Sequence, residues 1–226
     1  MRDFQLARPL SVTHFETAFV AAILIVNVLD DFLLGTQITE INDYLLADYV
    51  KKSLIVILCL STAPVRAIVR QSISAPDLPW SGSGWLNGHV LALLAGILLC
   101  DHLLHGLGEF FSSWLEAPVV ANIPAYHDDI VRYFDLTFGL MLNSVAEEVF
   151  YRAVLIAVVF RYVPSLGTSI LIAGLLFGAA HWSQGIVWTV VISLSGVMYG
   201  YLYCLTRSIV PLVIVHYIHN LIVFTP

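Results

Sequence analysis

The sequence predicts an all-α fold: a polytopic helical membrane protein of about seven transmembrane helices with a four-helix catalytic core. Three observations carry the prediction. Of 226 residues, 59% are hydrophobic and only 12% charged, about half the charged share of an ordinary soluble domain. Mean hydropathy is +0.87. Between Tyr162 and Pro226 the sole charged residue is Arg207. Several segments supply the ~20 mostly apolar residues needed to cross about 30 Å of hydrocarbon. The net charge of -6, with no Lys/Arg-rich run, excludes nucleic acid as a partner and leaves the lipid bilayer as the main one. Cys59, Cys100 and Cys204 each stand alone in an apolar run, which predicts buried thiols and no disulfide framework.

Each element follows in order. The apolar run from Ala18 to Leu29 ends at Asp30-Asp31 instead of at small residues, and Arg2 and Arg8 are mixed with Asp3 and Glu16. It reads as a first membrane helix over about 12–34, not as a cleaved signal peptide. A second span starts after Lys51-Lys52, is strongest from Leu54 to Leu60 and reaches Arg70, with Pro64 expected to kink or end it. Residues 71–84 hold two Pro, four Ser and two Gly and predict a linker. A third span is expected over about 85–107. Residues 108–127 are too polar to cross, and Phe110, Phe111 and Trp114 suit a membrane interface. A long helix over about 130–162 follows, broken by Pro164 and Gly167, and spans over about 168–180, 186–206 and 209–224 complete the set.

Residues 1–127 thus read as N-terminal membrane helices with an interfacial loop, and 128–226 as the catalytic helical core, within one integral membrane unit. With the N-terminus in the cytoplasm, Arg2, Arg8, Arg66, Arg70, Arg161 and Arg207 fall on that side and Lys51, Lys52 and Arg132 on the other. Six basic residues against three predict an N-in, multi-pass topology.

Polar residues inside such helices cost at least about 2.5–3.5 kcal/mol each at the bilayer centre, so they mark function. Glu147 and Glu148 are neighbours and cannot share a helix face. Glu148 and Arg152 are spaced for an intrahelical ion pair, leaving Glu147 without a local partner and suited to act as a general base. His181 ends the run Phe177-Gly178-Ala179-Ala180-His181, with Phe177 one turn back on the same face. His216 and Asn220 share a face of the last span, and by spacing alone His219 could replace either. One free carboxylate, two imidazoles and an amide suit amide hydrolysis: Glu147 and His181 to activate water, His216 and Asn220 to hold a tetrahedral oxyanion. Glu147, His181 and His216 also form a candidate metal set for Zn2+ or another divalent ion, with Asn220 a poor ligand. Metal-dependent and metal-independent readings both remain open at this point. Asp101, His102, His105 and Glu109 form a second cluster, read as an interfacial cap in preference to a metal site.

Glu147-Glu148-Val149-Phe150-Tyr151-Arg152 matches EExxxR, Phe177 to His181 matches FxxxH, and His216 to Asn220 matches HxxxN. In this order, on successive membrane helices, they resemble the CAAX protease and bacteriocin-processing (Abi) family of intramembrane endopeptidases. The resemblance covers about 128–224. It implies Glu147 as the water-activating carboxylate with His181 as its partner, His216 and Asn220 completing the site, and Glu148, Arg152 and Phe177 as motif support. It also implies a membrane-anchored peptide or protein substrate and a multi-pass protein of a prokaryotic plasma membrane. Members that trim prenylated tails usually carry an eighth helix, so sorting tails and bacteriocin-like precursors are equally compatible substrates. Rival readings are a catalytically inactive immunity or chaperone-like relative, a proton-coupled transporter, and a membrane haem protein. No two-half symmetry supports transport, and His181 and His216 are not at matching positions in their helices.

Overall fold

The protein is described by a computed structural model that covers residues 13–30, 38–74, 77–78, 82–83, 87–116, 119 and 124–225. Arg2, Asp3, Arg8, Asp31, Trp85 and the far end of the first expected span, 31–34, lie outside the described residues. Eight helices follow one another among those residues. They are α1 (His14–Asp30), α2 (Ile41–Ser61), α3 (Ala63–Ser72), α4 (Gly88–Trp114), α5, α6 (Leu166–Ala179), α7 (Ile186–Thr206) and α8 (Val210–Phe224). The α5 helix runs unbroken from Asp129 to Tyr162 and holds two π-helical stretches, Asp135–Gly139 and Glu148–Leu155. Within the expected linker, Asp77–Leu78 pairs antiparallel with Gly82–Ser83. The molecule is an all-α polytopic membrane protein.

Local chemistry sets the boundaries. Asp128 caps α5 by accepting from the backbone N–H groups of Ile130 and Val131 at 2.6 and 3.3 Å. Asn87 caps α4 by accepting from His89 N–H at 2.9 Å. The α7 helix ends at Arg207, a non-glycine residue in the left-handed region at φ 55°, and Pro211 follows in the first turn of α8, where its missing N–H is no loss.

Two expected spans are corrected. The second begins at Ile41, so Lys51 and Lys52 lie within α2, where both ion-pair with Asp48. As expected, it breaks near Pro64: the chain turns by 106° after Ser61, and Pro64 occupies the first turn of α3. The third span continues past 107 to Trp114, placing Phe110 and Phe111 in helix α4 and not in an interfacial loop. Cys59 and Cys204 are buried as expected, but Cys100 is exposed on α4.

Among the described residues, α4 and α7 are each long and apolar enough to cross a bilayer, and α2 with α3 forms a third, bent candidate. The shorter α1, α6 and α8 are equally apolar in character. On α4, Leu91, Leu99, Leu103 and Leu107 recur on one stripe and are 49–60% exposed. In water such a stripe would be a liability, whereas against acyl chains it is the expected outer surface.

The interior is one shared core. Val20 and Ile23 of α1, Ile55 and Cys59 of α2, and Val65 and Ile68 of α3 pack with Val149, Phe150 and Val154 of α5. Polar ties reinforce it. Trp182 Nε1–H donates to the Val28 carbonyl at 2.7 Å, and the hydroxyls of Ser72 and Tyr203 bond at 2.7 Å.

The closest approach is between α6 and α7. A Cβ on Gly174 would lie 2.5 Å from Val197 Cγ2 and 2.7 Å from its backbone N, and one on Gly178 would lie 2.4 Å from the Thr189 carbonyl oxygen. Small residues let the two backbones touch, which substitutes for the hydrophobic drive that lipid removes. Gly178→Ala must therefore push the helices apart, and a loss of about 1–3 kcal/mol is expected in thermal unfolding in detergent. Gly96→Ala, with nothing within 4 Å of its new methyl, should leave the transition unchanged or slightly raised.

Candidate active site

The site begins in the second π-helical stretch of α5. Hydrogen bonds from i to i+5 widen the coil there, and all eight residues from Glu148 to Leu155 are buried. A helix enclosed on every side can carry charge only if the charges find each other. Arg152 Nε lies 3.1 Å from Glu148 Oε2, and the two side chains are 2% and 0% exposed. The guanidinium stacks over the Phe177 ring at 4.3 Å from its centroid and stands 5.5 Å from that of Tyr199.

The other oxygen of Glu148 receives His216 Nδ1 at 2.9 Å. An ionised carboxylate only accepts, so Nδ1 carries the proton and Nε2 is directed away. It is directed at Glu147, 3.6 Å from Oε2. On the opposite side His181 Nδ1 bonds the Phe177 carbonyl at 2.9 Å. That contact likewise fixes the proton on Nδ1 and leaves the Nε2 lone pair facing Glu147 Oε1 at 3.9 Å. Both gaps exceed a hydrogen bond. One water oxygen about 2.8 Å from both partners fits across either of them.

Glu147, His181, His216 and Asn220 all line one cavity of about 380 Å3, which falls within the size range of small-molecule and peptide sites. Asn143 of α5 lines it as well. Phe177 is a hub: its ring meets those of His181 and Tyr151 at 4.9 Å each, edge to face. The structure also separates the two histidines of α8 that spacing left interchangeable. His216 faces the glutamates, whereas His219 Nδ1 is 3.4 Å from Asp101 Oδ2.

Asp101 is not part of an interfacial cap. It is buried within α4 and accepts hydrogen bonds from Ser195 and from the Tyr199 hydroxyl, the latter at 2.9 Å. His102 and Glu109 of the expected cluster are exposed, Glu109 standing 3.5 Å from His105 Nε2, and His105 packs on Trp188 at 4.9 Å. A further buried acid that residue spacing missed is Asp135, which accepts from the hydroxyls of Tyr49, at 2.7 Å, and Tyr126. Burial and the bond to Asp135 push the Tyr126 phenol well above its usual range, so it stays a donor. Gly139 makes this possible, since a Cβ there would lie 1.9 Å from Asp135 Oδ1.

For a metal, the donors in reach are the Glu147 carboxylate and the two Nε2 atoms. Among the described residues no three His, Cys, Asp or Glu side chains are grouped closely enough to hold an ion. No step is routed through a metal.

A carboxylate between two oriented imidazoles, enclosed by apolar helices, is an arrangement able to hold and activate a water. Residues 130–222 match the family model described as type II CAAX prenyl endopeptidase Rce1-like. No curated protein and no solved structure matches the chain.

The ion pair generates the first test of this site. Arg152→Met leaves the buried Glu148 charge with only His216 as its partner, and a loss of about 3–5 kcal/mol is expected in thermal unfolding. Adding Glu148→Gln should restore part of it.

Proposed function

We propose that the protein is an intramembrane endopeptidase in which Glu147 activates water against a peptide bond of a membrane-anchored substrate. The observation that carries this is the convergence of Glu147, His181 Nε2 and His216 Nε2 within 3.9 Å in the interior of the helical bundle. A water held by Glu147 and His181 gives its proton to the carboxylate as its oxygen attacks the carbonyl carbon. His216, with a second proton on Nε2, and the Asn220 amide donate to the oxyanion that forms. When the intermediate collapses, Glu147 returns the proton to the leaving amine. Glu148 and Arg152 touch no substrate in this scheme: they hold His216 in one orientation, with its Nδ1–H donated to Glu148.

The substrate class follows the family, whose description names prenylated CAAX tails. A cavity of about 380 Å3 has room for a short extended peptide segment beside Glu147. Sorting tails and bacteriocin-like precursors present the same peptide chemistry. We place the protein in a prokaryotic plasma membrane with its N-terminus in the cytoplasm. Lys51 and Lys52, neutralised by Asp48 inside α2, drop out of the loop count that favours this topology.

Proteolysis in liposomes, with prenylated and unprenylated peptides, tests the reading. Glu147→Gln should lower kcat by about a thousandfold and His181→Ala by about a hundredfold, with KM little changed, because both act on the transition state. Full activity in Glu147→Gln sinks the mechanism. The metal question has its own assay: activity should survive exhaustive chelation within about twofold. Loss on chelation, with recovery on one added divalent ion, would show instead that the donors close around a metal in the working enzyme.

A further inference from the structure

We propose that Asp101, on α4 and outside the segment that matches the family, is a positioning residue for this reaction, acting through Tyr199 on His216. The inference rests on the hydrolytic reading above. Asp101 is 5% exposed. It is occupied by two hydroxyls from successive turns of α7. Ser195 donates to Oδ1, and Tyr199 donates to Oδ2 at 2.9 Å.

The Tyr199 ring, 2% exposed, is where this hydrogen bond becomes consequential. It packs against the His216 imidazole at 5.7 Å between centroids and 64° between planes, and it stands 5.5 Å from the Arg152 guanidinium. A hydrogen bond at the phenol oxygen opposes a swing of the side chain about χ1, so the ring stays as a wall behind both groups that contact Glu148. The carboxylate also faces His219 on α8, 3.4 Å away. His219 lies one turn from His216, so the same acid opposes rotation of α8 about its axis. Two links thus run from Asp101 to the orientation of His216 Nε2, one through α7 and one along α8. Ser195, one turn away on α7, is held by the other oxygen of the same acid and carries no ring to pack on His216, which makes it the internal comparison.

Loss of either link loosens a group whose placement the chemistry needs to within a fraction of an ångström. Asp101→Asn keeps one acceptor and turns an N–H pair toward a hydroxyl. Tyr199→Phe keeps the ring and removes only its anchor. In the liposome assay both should lower kcat by about tenfold to a hundredfold with KM within about twofold. Ser195→Ala should stay within about twofold of wild type. The double variant Asp101→Asn/Tyr199→Phe should lose no more than the worse single one, since the two act along one path.

A second readout does not need a substrate. In protein labelled with 15N-histidine, the His216 ring resonances, assigned with His216→Ala, should move in Asp101→Asn and Tyr199→Phe and stay put in Ser195→Ala. Unchanged His216 resonances in Tyr199→Phe overturn the proposal. So does a fall in kcat for Ser195→Ala as large as that for Tyr199→Phe, because that would mark a packing effect of α4 on α7. If wild type cuts none of the peptides, the hydrolytic reading fails on its own terms while the imidazole spectra still decide this one.

Discussion

Glu148 has no exposed surface, and its two oxygens are divided between a guanidinium at 3.1 Å and an imidazole at 2.9 Å. Taking a carboxylate and an arginine out of water costs several kcal/mol per ion, and their attraction roughly repays it. The pair therefore adds little net stability and much specificity. Arg152 can approach only if Phe177 and Tyr199 offer their rings, which fixes the rotation of α6 and α7. His216 can bond only if α8 presents it to the same acid. Four helices are locked in register by one buried anion, and the tautomer of the imidazole beside Glu147 is settled by the same contact.

This arrangement depends on a departure from regular helix geometry. In an ideal α-helix neighbours are about 100° apart, and Glu147 and Glu148 would point to different sides of the bundle. They do differ in role, one lining the cavity and one fully enclosed. The wider π-helical coil from Glu148 to Leu155 lets one side of α5 serve both, with the cavity on its N-terminal side and the Arg152 pair just beyond. Such insertions cost helix stability and concentrate at functional sites for that reason. The close contact of α6 with α7 at Gly174 and Gly178 then brings Phe177 and His181 to the opening that the π-helical stretch creates.

Much of this was legible from residue types. Low charge content located the helices, and the spacing of Glu148 to Arg152 and of Phe177 to His181 predicted contacts that the structure contains. What spacing could not supply was the partner across helices. His216 and His219 differ by less than a turn, and only the packing of α8 against α5 on one side and α4 on the other assigns the first to Glu148 and the second to Asp101. Asp101 and Asp135 were unreadable for a related reason. Their neutral partners, Tyr199, Ser195, Tyr49 and Tyr126, come from other helices or from an approach segment and leave no charge pattern along the chain. The bend at Thr62 was legible in Pro64, which ends one helix and suits the first turn of the next.

The division of the chain at residue 128 therefore describes its motifs better than its physics. The cavity around Glu147 is lined from α2 by Asp48 and Lys52 and from α4 by Asp101 and His105, none of which lies in the segment that matches the family. A core shared from Val20 to Val215 leaves no surface at which the N-terminal helices could be lifted away without exposing buried polar groups to lipid. In hydrocarbon an orphaned carboxylate has no water to turn to. Asp101 must then keep Ser195 and Tyr199 as partners whenever α4 is in place, and the catalytic helices inherit a fixed frame from helices that carry none of the motifs.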